Sequence, residues 1–311
     1  TKTIPLTLFY NPFQRLKTKG KLYGLKIFEA GKPVHEYKAV CEKGEEFLRD
    51  MITGKELHTE ASKREFRTFR TPVGALKGVE GHVQGISCTD EAIYLSFITT
   101  LVKIDWQGNV LKRVPVRRHM GDVAYHHGKI FGCLGKTKDP NKGLGGTAYL
   151  QVFDDDFNLL GERATPFAPG IDGIAIDGDT VYIGGGSKGN GNLPHRENLV
   201  VRLNGKLEPT AKAWIDYGVE TKHGIQNVAV ADGKVWCFFY PYNPEDIGCA
   251  VLDKDLNLIK VMDFPAGNGV DVLPPRFGKS KHPRFLVCKT IWPKDDNGVR
   301  AEFHFVEIRE H

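Results

Sequence analysis

The sequence lacks the features that mark several large classes of protein. No hydrophobic run approaches the roughly 20 residues that cross a bilayer, so neither a membrane segment nor a membrane partner is expected. Basic residues form no stripe with interleaved aromatics, so a nucleic-acid partner is not expected. There is no GxSxG elbow, and the glycine-rich stretches "GKTKDPNKGLGG" and "GGGSKGNGN" lack the order or setting of nucleotide-binding motifs, so no nucleotide cofactor is predicted.

Cysteine is scarce and its spacing fits no metal site. Six cysteines are present, and five of them, at 88, 133, 237, 249 and 288, stand inside apolar strand-like runs. They are interpreted as small buried hydrophobic residues. Free thiols favour a cytoplasmic location, or a periplasm without enforced pairing. The first residues hold no hydrophobic signal region, which is also what a cleaved signal peptide would leave, so the location stays open.

Composition indicates a globular protein with a large core. Of 311 residues, 41% are hydrophobic and 26% charged, and the net charge of +5 is spread over the chain. This length permits one large all-β domain or two ordinary ones. A mildly basic surface is compatible with an acidic small molecule or glycan, and equally with a solvated surface that binds nothing.

The chain repeats one pattern. "GHVQGISCTDEAIYLSF" (81–97), "GIDGIAIDGDTVYIGG" (170–185) and "KHGIQNVAVADGKVWCFF" (222–239) share a polar residue, a β-branched run, a turn rich in Asp and Gly, and an aromatic strand. Such turns suit hairpins that need positive φ. A third strand with its own turn follows, as in "TLVKIDWQGNVLKR". Aligned units begin at five positions: Gln84, Gly121, Asp172, Gln226 and Asn268.

Four-stranded units repeated every ~40 to 50 residues predict a β-propeller, because each sheet must pack against its neighbours to bury both faces. We expect an all-β, five-bladed propeller of four-stranded antiparallel blades, with six blades as the alternative. Residues 1–311 are interpreted as a single domain. Residues 1–62 are predicted to form an N-terminal extension that contains a hairpin and a helix. The helix is predicted from the spacing of apolar residues in "EKGEEFLRDMITG" (42–54). The segment "REFRTFRTPV" (64–73) is predicted to supply the outer strand that closes the ring.

Between about residues 80 and 290, the segments "DGIAIDGDTVYI", "QNVAVADGKVW" and "HVQGISCTDEAIYLS" resemble repeats of the NHL, gluconolactonase and streptogramin-lyase-like propellers. Five-bladed propellers that act on glycans are a second comparison. The resemblance implies the architecture. The acidic metal-binding positions of those enzymes have no residue-by-residue match here, so no specific family is assigned.

In a propeller the first strand of each blade runs beside the axis, so the residues that enter these strands should converge at one mouth of the channel. They are His82, Gln84, His119, Asp122, Asp172, His223, Gln226, Asn227, Asn268 and Asp271. Three interpretations stay open. The cluster is a hydrogen-bonded plug, or it acts directly on a ligand, or it holds a divalent metal ion (Zn, Fe, Cu or Ca). The metal ligands would be His82, His119 and His223, with Asp122 or Asp172 as an oxygen ligand or orienting group.

The segments between second and third strands are long, polar and rich in glycine. They are either solvent-exposed connections or ligand-binding loops around the same mouth. Residues 135–149 supply Lys136, Lys138 and Lys142, and residues 184–200 supply His195 and Arg196. Arg196 could hold a carboxylate, and Tyr217 and Tyr242, from two further loops, could stack on a sugar. These residue types predict an acidic glycan or another small polar ligand.

The sequence therefore predicts a carbohydrate-active enzyme with a histidine-rich central pocket, acting on an acidic glycan. The reaction is β-elimination by a lyase or hydrolysis by paired carboxylates such as Asp122, Asp172 and Asp271. The predicted catalytic residues are His119, His195, His223 and Asp172. The predicted substrate-binding residues are Gln84, Asp122, Arg196, Tyr217, Gln226, Asn227, Tyr242 and Asn268. The alternative is a non-catalytic lectin-like or scaffold propeller, although unequal loops favour one asymmetric pocket. Oligomeric state stays open.

Overall fold

The computed structural model is built almost entirely from β-strands. It describes residues 24–29, 31–42, 45–54, 56–58, 61–117, 120–135, 148–168, 170–187, 197–217, 224–239, 248–262, 264, 268–292 and 298–310. These residues form six four-stranded antiparallel sheets. A membrane-crossing helix, which needs both length and an apolar surface, is not found among them.

The chain divides into two compact units. The smaller comprises Thr1–Arg64, Asn243–Glu245 and Ile308–His311, and the larger comprises Glu65–Tyr242 and Asp246–Glu307. The predicted extension, residues 1–62, falls in the smaller unit. Its sheet contains strands β1 (Gly24–Glu29), β2 (Lys32–Glu42), β3 (Glu45–Asp50) and β4 (Glu56–His58) in sequence order.

The helix predicted over residues 42–54 is wrong, because strand β3 occupies this segment. Short apolar runs fit a helix and a strand equally well, and pairing partners decide between them. Here β3 pairs with β2 along its length, from Glu42↔Glu45 to Tyr37↔Asp50. The buried Asp50 carboxylate then ends the strand, since it accepts the backbone N–H groups of Glu36 and Ile52 at 3.0 and 3.1 Å.

The other five sheets form the blades. Blade 1 contains β6 (Val83–Cys88), β7 (Ile93–Phe97), β8 (Thr100–Ile104) and β9 (Val110–Pro115). Blade 2 contains β10 (Met120–His126), β11 (Lys129–Leu134), β12 (Tyr149–Asp154) and β13 (Leu159–Ala164). Blade 3 contains β14 (Gly173–Asp177), β15 (Thr180–Ser187), β16 (Glu197–Leu203) and β17 (Pro209–Asp216).

Blade 4 contains β18 (Ile225–Ala231), β19 (Lys234–Phe239), β20 (Cys249–Leu252) and β21 (Leu258–Met262). Blade 5 contains β22 (Gly269–Val272), β23 (Arg284–Ile291), β24 (Arg300–Glu310) and, as its outer strand, β5 (Ala61–Arg70). First strands touch in a closed cycle: β6 contacts β10, β10 contacts β14, β14 contacts β18, β18 contacts β22, and β22 contacts β6. The ring therefore has five blades.

The N-terminal strand β5 and the C-terminal strand β24 lie side by side in blade 5, where the sequence predicts the closing strand. The Thr71 N–H donates to the Ala301 carbonyl at 2.9 Å, and the Arg70 guanidinium binds the Glu302 carboxylate. His304 Nδ1 lies 2.8 Å from the Glu65 carboxylate. These contacts join residues more than 200 positions apart, so the ring is closed by distant parts of the chain.

Two kinds of turn recur among the blades. The first and second strands of blade 4 meet at Asp232 and Gly233, which both have positive φ, at 51° and 67°. This is the type I′ geometry that an Asp-Gly pair predicts. Between third and fourth strands, the turn residues Asp105, Asp154 and Asp253 each accept the backbone N–H groups two and four positions later. Such side-chain bonds replace the backbone partners that a turn loses.

Hydrophobic side chains pack between neighbouring blades, so the core is a set of interfaces rather than one central mass. Trp236 and Phe238 of blade 4 lie against Phe285 of blade 5, with ring centroids 5.1 and 5.7 Å apart. The cysteines at 133, 237, 249 and 288 are buried, and no disulfide joins the five cysteines whose side chains are described. Their burial explains why cysteine occurs there as a small apolar residue.

Candidate active site at the axial mouth

Each blade's first strand begins at the same end of the ring, and the described polar side chains there define the axial mouth: His82, Gln84, Asp172, Gln226 and Asn268. Hydrogen bonds between blades show the convergence directly. The Asn227 amide of blade 4 donates to the Gln84 carbonyl of blade 1 at 3.0 Å. The Asp122 N–H of blade 2 donates to the Asp172 carbonyl of blade 3 at 2.7 Å. Residues that are distant in sequence therefore meet around one axis.

The Asp122 side chain closes the centre of the ring, as the hydrogen-bonded plug, and is not available to bind a ligand. Its side chain is 1% exposed. One carboxylate oxygen accepts the N–H groups of Ile174 and Val228 at 3.2 Å each, and the other accepts the Val123 N–H at 3.0 Å. Burial raises the pKa of this carboxyl, whereas the three N–H donors oppose that rise. The substrate-binding role predicted for Asp122 does not fit, because its oxygens are occupied by backbone groups of three blades.

The close packing around Asp122 explains the small residues in the repeat. A Cβ atom on Gly85 would overlap the Cα and the carboxylate of Asp122. A Cβ atom on Gly121 would lie 2.8 Å from the Asp172 carbonyl oxygen. Glycine at these places lets neighbouring first strands approach closely enough to close a five-membered ring.

Asp172 differs from Asp122 in the surroundings of its carboxyl group. Its side chain is half-buried at the mouth, and no hydrogen-bond or ion-pair partner for it lies among the residues that the structure describes. Burial raises the pKa of Asp172 to about 6. A carboxyl group with this pKa holds its proton for part of the time near neutral pH, as a general acid must. The catalytic role that the sequence predicts for Asp172 stays a prediction.

His82 supplies a second titratable group at the axial mouth. Its Nε2 lies 2.9 Å from the Gln84 amide nitrogen, and burial lowers the pKa of His82 below its ordinary value of 6.5. The lowered pKa favours the neutral form of the imidazole. The pair places a proton acceptor and an amide donor at the edge of blade 1.

The remaining residues of the axial mouth are amides, and some of their hydrogen-bonding groups bind other parts of the ring. Asn268 accepts the Thr290 N–H at 2.8 Å through its side-chain oxygen, so its amide nitrogen remains as a donor. Gln226 is half-buried, whereas Asn227 is 2% exposed and holds blade 4 to blade 1. Gln84, Gln226 and Asn268 therefore stay candidates for contact with a polar ligand, while Asn227 mainly joins blades.

Tyr217 lies in the hydrophobic core, where it cannot stack on a sugar. Its ring is 4% exposed and meets Phe239 edge to face at 4.9 Å. Burial also raises the pKa of its hydroxyl. Aromatic residues occur in cores and on binding surfaces alike, so the position of Tyr217 in the sequence could not distinguish a core role from a sugar-stacking role.

Several predicted site residues lie outside the described residues: His119, His195, Arg196, His223 and Tyr242. Their catalytic, substrate-binding and metal-binding roles stay predictions. Of the three proposed histidine ligands only His82 is described, and within the described ranges no group of three or more His, Cys, Asp or Glu side chains could hold a metal ion. Elemental analysis of the purified protein tests the metal prediction.

A channel continues along the axis beyond the plug, and it contains polar groups that the sequence analysis placed elsewhere or missed. All five first strands line a cavity of about 160 Å³. Asp271, predicted at the mouth, lines this cavity instead and accepts the Ser87 hydroxyl at 2.9 Å and the Cys88 N–H at 2.7 Å. The sequence does distinguish Asp271, because the aligned repeats have alanine at the same position in blades 2, 3 and 4 (Ala124, Ala175 and Ala229).

Burial raises the pKa of Asp271 to about 6, above its ordinary value of 3.8. The folded protein therefore holds a proton that the unfolded chain releases, and the free energy of unfolding should fall as pH rises from about 4 through about 6. Because the carboxyl lines a cavity of about 160 Å³, which is large enough for water, we expect a contribution of about 1–2 kcal/mol rather than the full shift.

Urea unfolding of the wild type and of Asp271→Asn across this pH range measures the effect. The variant should lose part of the pH dependence of the free energy of unfolding. Asp179→Asn, at an exposed turn of blade 3, is the control and should keep all of it. Equal pH dependence in the wild type and Asp271→Asn would contradict the assigned proton.

Comparisons with known proteins show the fold. No family model matches the chain, and no curated protein matches it in sequence. Among solved structures, the Myxococcus xanthus glutaminyl cyclase has a TM-score of 0.52 at 10% identity, covering 79% of this chain and 97% of that one. A GH43_1 enzyme from Xanthomonas citri complexed with xylose has a TM-score of 0.48 at 13% identity, covering 76% and 89%. The Neurospora crassa Pan2 WD40 domain has a TM-score of 0.38 at 12% identity, covering 91% and 82%. Fold similarity at such identities leaves chemistry to be argued from the site.

Proposed function

We propose that this chain is a carbohydrate-active hydrolase that cleaves an acidic glycan at the axial mouth, with Asp172 as the general acid. The observation that carries the proposal is the state of its carboxyl group: half-buried, at the convergence of the blades, and with a pKa raised to about 6. Of the three axial aspartates predicted from the sequence, Asp122 and Asp271 are engaged by N–H and O–H donors.

The proposed chemistry is glycoside hydrolysis. The Asp172 proton passes to the glycosidic oxygen as its bond to the anomeric carbon breaks, and a water molecule attacks that carbon. The water's proton passes to a base, for which the neutral His82 imidazole is the candidate. Amides at Gln84, Gln226 and Asn268 supply hydrogen-bonding groups for sugar hydroxyls.

Charge supports an acidic substrate. The segments 136–147 and 188–196 connect the second and third strands of blades 2 and 3. In blade 3 these strand ends lie on the mouth side, since Gly184 pairs with Gly173 at the start of the first strand. The two segments contain Lys136, Lys138, Lys142, Lys188 and Arg196, and no acid besides Asp139. Cations at this density favour a carboxylated sugar.

Hydrolysis is favoured over β-elimination because the described mouth offers a carboxyl group whose pKa is raised to about 6, so that part of it is protonated near neutral pH. The lyase prediction depends on His119, His195 and His223. The two reactions leave different products, since hydrolysis creates a reducing end without a double bond, whereas elimination from a uronate creates an unsaturated product. This difference makes them separable in one assay.

The test incubates the protein with a panel of uronate-containing polysaccharides and their neutral counterparts. New reducing ends without ultraviolet absorbance from unsaturated products are expected, with preference for the charged substrates. Unsaturated products would overturn hydrolysis in favour of the lyase. If no polysaccharide of the panel were cleaved, and Asp172→Asn left glycan binding unchanged, a non-catalytic binding propeller would be favoured.

A further inference from the structure

A groove lies at the far end of the channel from the axial mouth, between blades 4 and 5. Its volume is about 550 Å³, within the range of sites for small organic ligands. Val230 and Val272 line both the channel and the groove. The wall is mainly apolar, and its remaining apolar members are Ala231, Leu273, Pro275 and Pro283.

Basic residues from one loop line one side of this groove. The sequence "RFGKSKHPR" (276–284) places Lys279, Lys281 and His282 within four positions. Both lysines are exposed, and within the described part of the chain no acidic side chain lies at ion-pair distance from any of the three. The acid of the groove, Asp232, has its own partner, Lys234, at 3.8 Å. The described acidic side chains therefore leave the positive charge of the loop uncompensated.

One buried side chain, Glu307, holds this loop in place. The Glu307 carboxylate, 4% exposed, accepts the Arg284 guanidinium at 2.7 Å and the Ser280 hydroxyl at 2.9 Å. The same guanidinium donates to the carbonyls of Phe277 and Gly278 at 3.2 and 3.3 Å. Because Arg284 and Glu307 neutralise each other, the loop is fixed without using its lysines. A fixed loop costs less entropy when a ligand binds.

We propose that this groove binds a small phosphate monoester that carries an apolar body. A phosphate monoester bears about −1.5 to −2 charges at pH 7, which two lysine ammonium groups match. Lysine acts on phosphate as a point charge with three donors. The apolar wall opposite the loop would cover the organic part of the ligand. The site is separate from the axial mouth and does not depend on the proposed hydrolysis.

Phenyl phosphate is the probe, and inorganic phosphate, phenyl sulfate and benzoate are its comparisons, each titrated calorimetrically into the full chain. Phenyl phosphate should bind more tightly than all three, because it alone combines a dianion with an apolar body. The double variant Lys279→Ala/Lys281→Ala should bind it about tenfold more weakly. Added salt should weaken binding to the wild type.

The matched control is Lys129→Ala/Lys206→Ala, which removes the same charge from exposed positions of blades 2 and 3 and should change affinity less than twofold. Absence of phenyl phosphate binding at millimolar concentration would overturn the site. Equal weakening in both double variants would assign binding to overall charge and also overturn it. Equal affinity for phenyl sulfate or inorganic phosphate would refute the ligand class.

Discussion

Asp172→Asn should lower kcat on an unactivated glycan about 10²- to 10⁴-fold, the usual contribution of a general acid. Asparagine keeps the shape of the side chain but has no proton to give to the glycosidic oxygen. Substrate binding depends on other groups, so KM should change little. Initial rates on the best polysaccharide of the panel measure both constants. Full activity in the variant would remove Asp172 from the mechanism.

Two further measurements separate an acid role from a structural one. In the wild type, kcat/KM should fall as pH rises through about 6, because Asp172 loses the proton it must donate. Asp172→Asn should lack this alkaline decline. An aryl glycoside with an activated leaving group needs little protonation, so the variant should lose much less activity on it than on the glycan.

The matched control for this experiment is Asp179→Asn, which changes an exposed aspartate in the same blade and should retain wild-type activity within about twofold. Stability offers an independent check. Ionised Asp172 carries a desolvation cost at pH 7, so Asp172→Asn should be no less stable than the wild type there. A loss of activity accompanied by unfolding would refute the assignment to proton transfer.

Local patterns in the sequence predicted much of the ring. The repeated polar residue, β-branched run and Asp-Gly turn identify four-stranded units, and each repeat position lies on a first strand or immediately before one. The turn at Asp232–Gly233 follows from residue type alone, since few residues adopt positive φ at both positions. Convergence at the mouth then follows from the geometry of a propeller.

The sequence could not show which polar residue is engaged and which is left available. Asp122 and Asp172 stand at adjacent positions of the aligned repeat, yet the Asp122 carboxylate accepts N–H groups from residues 52 and 106 positions away. Only the closed ring brings those donors to one carboxylate. The anchoring of the basic loop also depends on strand pairing, because Glu307 lies on β24 directly opposite Arg284 of β23. Long-range geometry, rather than residue type, assigns these roles.

Asp122→Ala should destabilise the protein by about 3–5 kcal/mol, the largest stability effect that we expect from a single polar side chain here. The variant leaves the Val123, Ile174 and Val228 N–H groups without their acceptor at the centre of the ring. Each unpaired buried donor costs about 1–3 kcal/mol, and water entering the space would recover part of that loss. Urea unfolding followed by tryptophan fluorescence measures the difference, since Trp106 and Trp236 lie in the packed interfaces of blade 5.

Asp122→Asn retains an oxygen acceptor and should cost less than half as much as Asp122→Ala. Gly85→Ala tests the same junction from the facing strand, because its methyl group overlaps the backbone and the carboxylate of Asp122, which a side-chain rotation cannot relieve. We expect Gly85→Ala to destabilise the ring severely, and Gly161→Ala, with open space around its Cβ position, to be tolerated. If Asp122→Ala unfolded within about 0.5 kcal/mol of the wild type, the carboxylate would not be what holds blades 2, 3 and 4 together at the axis.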